Sequence, residues 1–125
     1  MTPQTRMEGI IHRYFELWET QNADGLGEIF AKDATYVVRP FGEEVYTGLT
    51  DIEGYWRDNT VKNQTNPKTR VLSVAYNADT AFVEWETTYT NPQGIKKIMR
   101  GMLNLAFENG YIKELHEHFN TNLVA

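Results

Sequence analysis

The chain has 125 residues, 41% of them hydrophobic and 23% charged, with a net charge of −5 and no cysteine. That length fits one domain over residues 1–125 with a core that needs no covalent staples. The missing cysteines exclude disulfides, thiolate metal sites and a cysteine nucleophile, and fit a reducing cytoplasm.

Nucleic acid is not an expected partner: the chain is acidic, and its one tight basic cluster is Lys96, Lys97 and Arg100. No apolar run approaches the roughly 20 residues that cross a bilayer. The first residues lack the apolar centre of a signal peptide. A soluble cytoplasmic protein, away from membranes, is the expectation.

Met7, Ile10, Ile11, Tyr14, Leu17 and Trp18 recur at helical spacing and predict a first helix over residues 3–20, with Pro3 suited to its first turn. Leu26, Ile29 and Phe30 predict a second, shorter helix closed by Asp33. The run from Thr35 to Arg39 reads as a strand that Pro40 ends, and Val45, Tyr46 and Thr47 as a short strand broken by Gly48. Ile52, Tyr55 and Trp56 form a third helical stripe. The polar residues 59–68, which include Pro67, read as the most mobile loop. Strands follow over 70–76, 80–90, 95–107 and 111–119, joined at Asn77-Ala78-Asp79, Asn91-Pro92-Gln93-Gly94 and Asn109-Gly110, with 120–125 as a tail.

Helices first and hairpin-linked strands after them mean an α+β domain, with helices on one face of a mostly antiparallel sheet. A long, strongly curved sheet closed by helices makes a cone whose open end is a natural ligand site.

Arg13-Tyr14-Phe15, Phe30-Ala31-Lys32-Asp33-Ala34-Thr35, Pro40-Phe41-Gly42, Tyr46-Thr47-Gly48 and the Tyr55-Trp56 pair are similar to ketosteroid isomerases, as are residues 103–107, Asn109-Gly110-Tyr111-Ile112 and Phe119. More broadly, the chain resembles the SnoaL-like branch of the NTF2-like superfamily along nearly its whole length. The resemblance implies a cone-shaped fold and specifies activity poorly, because this fold carries many functions. It places Tyr14 at an oxyanion-donor position. Arg39 stands at the general-base position, where an arginine cannot act as a base, and Leu103 stands near a second donor position, where it donates nothing. Classical ketosteroid isomerase activity is therefore not implied.

Alternation on residues 80–90 puts Ala81, Val83, Trp85, Thr87 and Tyr89 on one face and Phe82, Glu84, Glu86 and Thr88 on the other. The resemblance turns the second face into the cone, making Glu84 and Glu86 candidate pocket acids. Alternation alone equally allows an acidic solvated face opposite a buried one. On the last strand Ile112, Glu114, His116 and His118 share a face, and Leu115, Glu117 and Phe119 share the other, which the resemblance turns inward.

His116 is a candidate base because histidine titrates near neutrality; the pair with His118 also reads as an interface feature, and no metal site follows from it. Arg39 reads either as an anion-binding fork or as a rim charge paired with Glu43 or Glu44. Trp18, Tyr36, Tyr55, Trp56, Leu103, Leu105, Phe107 and Phe119 fit a pocket wall and an ordinary core equally well.

The expected function is acid–base chemistry without a cofactor on an apolar or aromatic cyclic ligand. Tyr14 would polarise an oxygen, and Glu117, Glu86, Glu84 or His116 would move the proton. The rival is a ligand-binding or association module without catalysis. Val83, Trp85, Tyr89 and Met102 are expected to form an outer apolar patch that pairs two copies of the chain.

Overall fold

The computed structural model describes residues 2–39 and 41–124. Helix α1, Pro3–Glu19, begins where Thr2 accepts a hydrogen bond from the Thr5 N–H at 3.1 Å. It buries Met7, Ile10, Ile11, Tyr14, Phe15, Leu17 and Trp18. Six strands follow: β1 Phe30–Val38, β2 Glu44–Thr47, β3 Thr65–Asn77, β4 Thr80–Thr90, β5 Lys96–Glu108 and β6 Tyr111–Leu123. Helix α2, Leu49–Tyr55, separates β2 from β3 and runs into a π-helical turn, Trp56–Val61.

The sheet order is β2-β1-β6-β5-β4-β3. Neighbours are antiparallel except β1 and β6, which run parallel, so the last strand lies at the centre. The α+β architecture with a mostly antiparallel sheet is as expected.

Three element boundaries differ from expectation. Leu26, Ile29 and Phe30 are all buried, but a 3-10 turn, Ala23–Glu28, replaces the second helix and Phe30 already pairs with Ile112 in the sheet. Gly25 and Gly27 oppose a regular helix there, and a Cβ on Gly25 would stand 2.4 Å from Leu17 Cδ2. Pro40, expected to end β1, lies outside the described residues.

Residues 59–68 are not a loop. Helical backbone runs through Asn63 and β3 starts at Thr65. Pro67 is accommodated because β3 is an edge strand whose register shifts between Thr65 and Lys68. Finally, β6 continues past Phe119, its Leu123 lying opposite Lys97 of β5; of the expected tail's described residues, only Val124 lies outside the strand.

The parity of β4 is decided by α1. Trp85 meets Trp18 edge-to-face with ring centroids 5.1 Å apart, and Ala81, Val83, Trp85 and Thr87 are fully buried. The outer apolar patch premised on Val83 and Trp85 therefore does not exist. The outward residues are Phe82, Glu84 and Glu86, with Met102 beside them. Glu86 lies between Arg100, at 2.9 Å, and Arg70, at 3.6 Å. Ile112 also turns inward, against simple alternation, because the register shift between Ala106 and Phe107 inserts a residue at Lys113.

Strands β5 and β6 approach each other too closely at Gly101 to leave room for a side chain. The glycine lies between Trp85 and Phe119, whose rings are 6.3 Å apart. A Cβ there would fall 2.0 Å from the His118 carbonyl oxygen and 2.8 Å from Phe119 Cβ. Gly101→Ala is expected to destabilise the fold by about 2 kcal/mol or more. Urea denaturation with an unchanged midpoint would show that β5 and β6 have room to separate.

Candidate active site

Tyr14, Tyr36 and Glu117 meet under the centre of the sheet. Tyr14 comes from the buried stripe of α1, Tyr36 from β1 and Glu117 from β6. In the parallel β1–β6 pair Tyr36 lies opposite Leu115 and Val38 opposite Glu117. Tyr36 therefore reaches Glu117 diagonally across the pair. Its hydroxyl donates to Glu117 Oε2 at 3.0 Å and lies 3.1 Å from the Tyr14 hydroxyl. The three residues are 1%, 2% and 4% exposed in chain order.

Burial pushes the Glu117 carboxyl up from its ordinary 4.5 to about 7; the Tyr36 hydrogen bond opposes the shift, Glu44 adds to it and Arg39 opposes it. Burial likewise raises Tyr14 and Tyr36 well above the ordinary tyrosine value, with Glu117 adding to both.

Each tyrosine has one proton to donate. With Glu117 ionised, Tyr36 gives its proton to the carboxylate and Tyr14 gives its own to Tyr36. With Glu117 protonated the chain can run the other way, from Glu117 to Tyr36 to Tyr14. The Tyr14 proton is then free for another acceptor. The ionisation of one carboxyl thus sets the direction of the whole chain.

A cavity of about 30 Å³ adjoins this chain, lined by Tyr14, Trp18, Tyr36, Tyr55, Trp56, Thr60, Gln64, Met99, Glu117 and Phe119. That volume holds one or two waters. Its wall is aromatic packing: Trp56 meets the Tyr14 ring edge-to-face with centroids 5.5 Å apart, and Tyr55 lies tilted against Tyr36 at 5.5 Å.

Segment 56–64 covers the outer side. Trp18 Nε1 donates to Gln64 Oε1 at 2.7 Å, Gln21 donates to the Val61 and Gln64 carbonyls, and Arg57 pairs with Asp24.

Seven of the residues singled out from sequence line this cavity: Tyr14, Trp18, Tyr36, Tyr55, Trp56, Glu117 and Phe119. Leu103 and Leu105 face inward but lie in filled core and do not line it. Glu84 and Glu86 are on the opposite side of the sheet, which corrects their assignment as pocket acids: the apolar face of β4 is the one α1 buries. His116 and His118 project outward as well, and His116 lies 3.9 Å from Glu114 rather than near Tyr14. His116 therefore cannot serve this cavity as a base.

Arg39 sits at the rim. Its backbone is left-handed, at φ 71°, its N–H donates to the Glu117 carbonyl at 2.7 Å, and its guanidinium pairs with Glu43 at 3.2 Å. The same guanidinium stands 5.8 Å over the Phe119 ring.

Thr60, Gln64 and Met99 were not singled out. The signal for the first two was present, since Ile52, Trp56, Thr60 and Gln64 recur every four residues, but the polar composition of residues 59–68 masks it.

A curved sheet closed by a long helix, with a buried carboxyl–tyrosine chain at a small interior cavity, defines a class of compact α+β domains built around an interior site. The SnoaL-like domain family matches residues 11–115, and the chain belongs to that family.

Among solved structures, the chain is similar to a hypothetical protein of ketosteroid isomerase-like fold from Catenulispora acidiphila, in complex with trimethylamine. The identity is 21%, the TM-score 0.77, and the match covers 87% of this chain and 83% of that one. It is also similar to the epoxide hydrolase/cyclase-like enzyme SalBIII of pyran ring formation in salinomycin, at 18% identity and TM-score 0.80, covering 97% of both chains. A hexachlorocyclohexane dehydrochlorinase, LinA type 2, aligns at 10% identity and TM-score 0.81, covering 98% of this chain and 88% of that one. At these identities the likeness is one of fold. No curated protein matches the sequence. Among the described residues, no helix is long and apolar enough to cross a membrane.

The Glu117 carboxyl is easier to protonate in the folded chain than in the unfolded one. Its contribution to stability is therefore fully present below pH 4.5 and is lost as pH rises through about 7. Across that window the native chain is expected to lose about 3 kcal/mol relative to Glu117→Gln. Urea melts of the two proteins from pH 4 to 8 check this, and parallel profiles would mean that the carboxyl is solvated.

Proposed function

We propose that this chain is a cofactor-independent acid–base enzyme of isomerase, dehydratase or cyclase type, acting on a small apolar cyclic molecule. The observation that carries the reading is Glu117: a buried carboxyl that titrates near neutrality beside a cavity and is wired to two tyrosines. A carboxyl with that value both accepts and returns a proton at physiological pH. In the ionised form Glu117 takes a proton from a carbon next to a substrate carbonyl, and the electron pair of the broken C–H bond moves onto the carbonyl oxygen. The protonated carboxyl then reverses the tyrosine chain, and Tyr14 presents its proton to the substrate. Return of the proton from Glu117 to a second carbon completes an isomerisation. Transfer of that proton from Glu117 instead to a hydroxyl on the second carbon, which leaves as water while the enolate electron pair re-forms the carbonyl and a C=C bond, completes a dehydration. Arg39 and Leu103 occupy the positions of the missing base and second donor, so classical ketosteroid isomerase activity is not part of the proposal.

A ring-sized ligand needs several hundred Å³. Admission therefore requires segment 56–64 to move outward, breaking the contacts of Gln21, Trp18 and Arg57. The π-helical turn supplies the hinge, because its hydrogen bonding is already irregular.

One observation favours a second reading. Six aromatic side chains and a single carboxyl surround the cavity, which suits a small cation. A binding module that holds an amine without turnover would use the same cavity, and trimethylamine, bound by the Catenulispora protein, is of that chemical kind.

The proposal also keeps a homodimer through the outer sheet face, now centred on Phe82 and Met102, which are 38% and 41% exposed, beside His116 and His118. Phe82→Glu with Met102→Glu is expected to convert a dimer to a monomer in sedimentation velocity at micromolar concentration. A native chain that sediments as a monomer would remove the dimer.

Chemistry is tested by deuterium exchange at the activated carbon of 2-tetralone in D₂O, followed by proton NMR. The native chain is expected to accelerate exchange, increasingly as pH rises through about 7. Glu117→Gln should lower that acceleration by about 10²–10⁴-fold, and Tyr14→Phe by less. Exchange indifferent to both substitutions would reject the enzyme and leave the binding module.

A further inference from the structure

Among the described residues, three buried side-chain donors have no hydrogen-bond partner: Trp56 Nε1, Trp85 Nε1 and Thr87 Oγ1. Of these residues only Trp56 lines the cavity. An indole N–H is a donor and nothing else, and leaving one buried and unpaired costs free energy.

The second irregular group is Gln64. Its amide orientation is fixed by Trp18, whose indole N–H must meet the carbonyl oxygen, at 2.7 Å. The Gln64 Nε2 amide is thereby turned away from Trp18. Its partner there is Met99 Sδ at 4.0 Å, a weak acceptor at long range. Met99 also lines the cavity. Two strong donors, from residues eight apart at the start and just past the end of the helical turns 56–63, thus border the cavity without a good acceptor.

We propose that Trp56 Nε1 and Gln64 Nε2 are a donor pair for an acceptor oxygen of the ligand, so that the site takes an uncharged molecule bearing a carbonyl or ether oxygen. This rests on the reading of the Glu117 cavity as a ligand site and names the ligand's chemistry. The pair differs from the tyrosine chain in one respect: neither N–H reverses when Glu117 changes ionisation. The oxygen is held in both protonation states, while the Tyr14 proton is available in only one. A cation would leave both donors facing positive charge. An anion would meet the Glu117 carboxylate. Gln64 and Trp56 are thus specificity-determining residues, and Gln64 couples ligand binding to closure, because its other amide atom latches Trp18.

The test uses ¹⁵N-labelled full chain and three probes: 2-tetralone, tetralin, which has the same ring frame without the oxygen, and tetramethylammonium. The expected result is a downfield shift of the Trp56 indole and Gln64 side-chain amide protons with tetralone and not with the other two. Gln64→Leu and Trp56→Phe should each weaken tetralone binding about five- to tenfold more than tetralin binding, because loss of the Trp18 latch falls on both ligands alike while the lost donor falls on tetralone alone, and an equal loss for both ligands would overturn the pair. Because Trp56 is a core residue, Gln64→Leu carries the test if Trp56→Phe fails to fold.

Equal binding of tetralone and tetralin, or a tetralone affinity indifferent to Gln64→Leu, would overturn the donor pair. The Glu117 reading would then stand or fall separately on deuterium exchange. Tetramethylammonium moving the same signals more strongly would also overturn it, in favour of a cation site. Binding of none of the three would overturn it as well, leaving two donors satisfied by water alone.

Discussion

The structure turns on keeping one carboxyl group out of water. Glu117 is on the central strand, under the long helix, and the cavity beside it is walled mostly by aromatic side chains, with Thr60 and Gln64 as the polar residues besides the tyrosines. Removing an ionised carboxyl from water is costly unless it is paired. No cation touches the Glu117 side chain among the described ion pairs. The cost is instead met by shifting the carboxyl toward neutrality and by a single donated hydrogen bond. The same desolvation that weakens the fold at high pH gives the group a useful proton affinity.

The placement of that carboxyl follows from three packing decisions. The aromatic stripe of α1 selects which face of β4 is buried. The bulge at Lys113 lets Ile112 and Leu115 both face inward ahead of Glu117. The absence of a side chain at Gly101 lets β5 and β6 close tightly, with Trp85 and Phe119 meeting over the gap. Each is a local fact of sequence, and together they fix the position of a group to which none of them belongs.

Much of this was legible in the sequence. The stripe on α1 buries Tyr14, and alternation puts Leu115, Glu117 and Phe119 on one face of β6, which the family resemblance turns inward. The two Glu residues of β4 show where that legibility ends. Alternation divides a strand into two faces but does not say which is inside. A likeness to distant relatives supplied the wrong choice, whereas the size of the Trp85 side chain was the better guide. Gln64 was hidden for a different reason. A polar stretch with a proline reads as loop, and only an edge-strand position and a π-helical turn allow it to be regular structure. Hydrogen-bond partners across 81 residues, such as Tyr36 and Glu117, are not encoded locally at all.

The central position of the last strand has a consequence for how the chain acquires its structure. β1 and β2 form early in the sequence, yet β1 finds its second neighbour only in residues 111–123. Until that segment joins, the first hairpin is detached from the rest of the sheet and Tyr36 has no carboxylate to bond. Closing so long a loop is slow, and it is the step on which cooperativity depends. The final strand therefore acts as a keystone: site and sheet are completed by the same event, and a nascent chain lacking it holds neither.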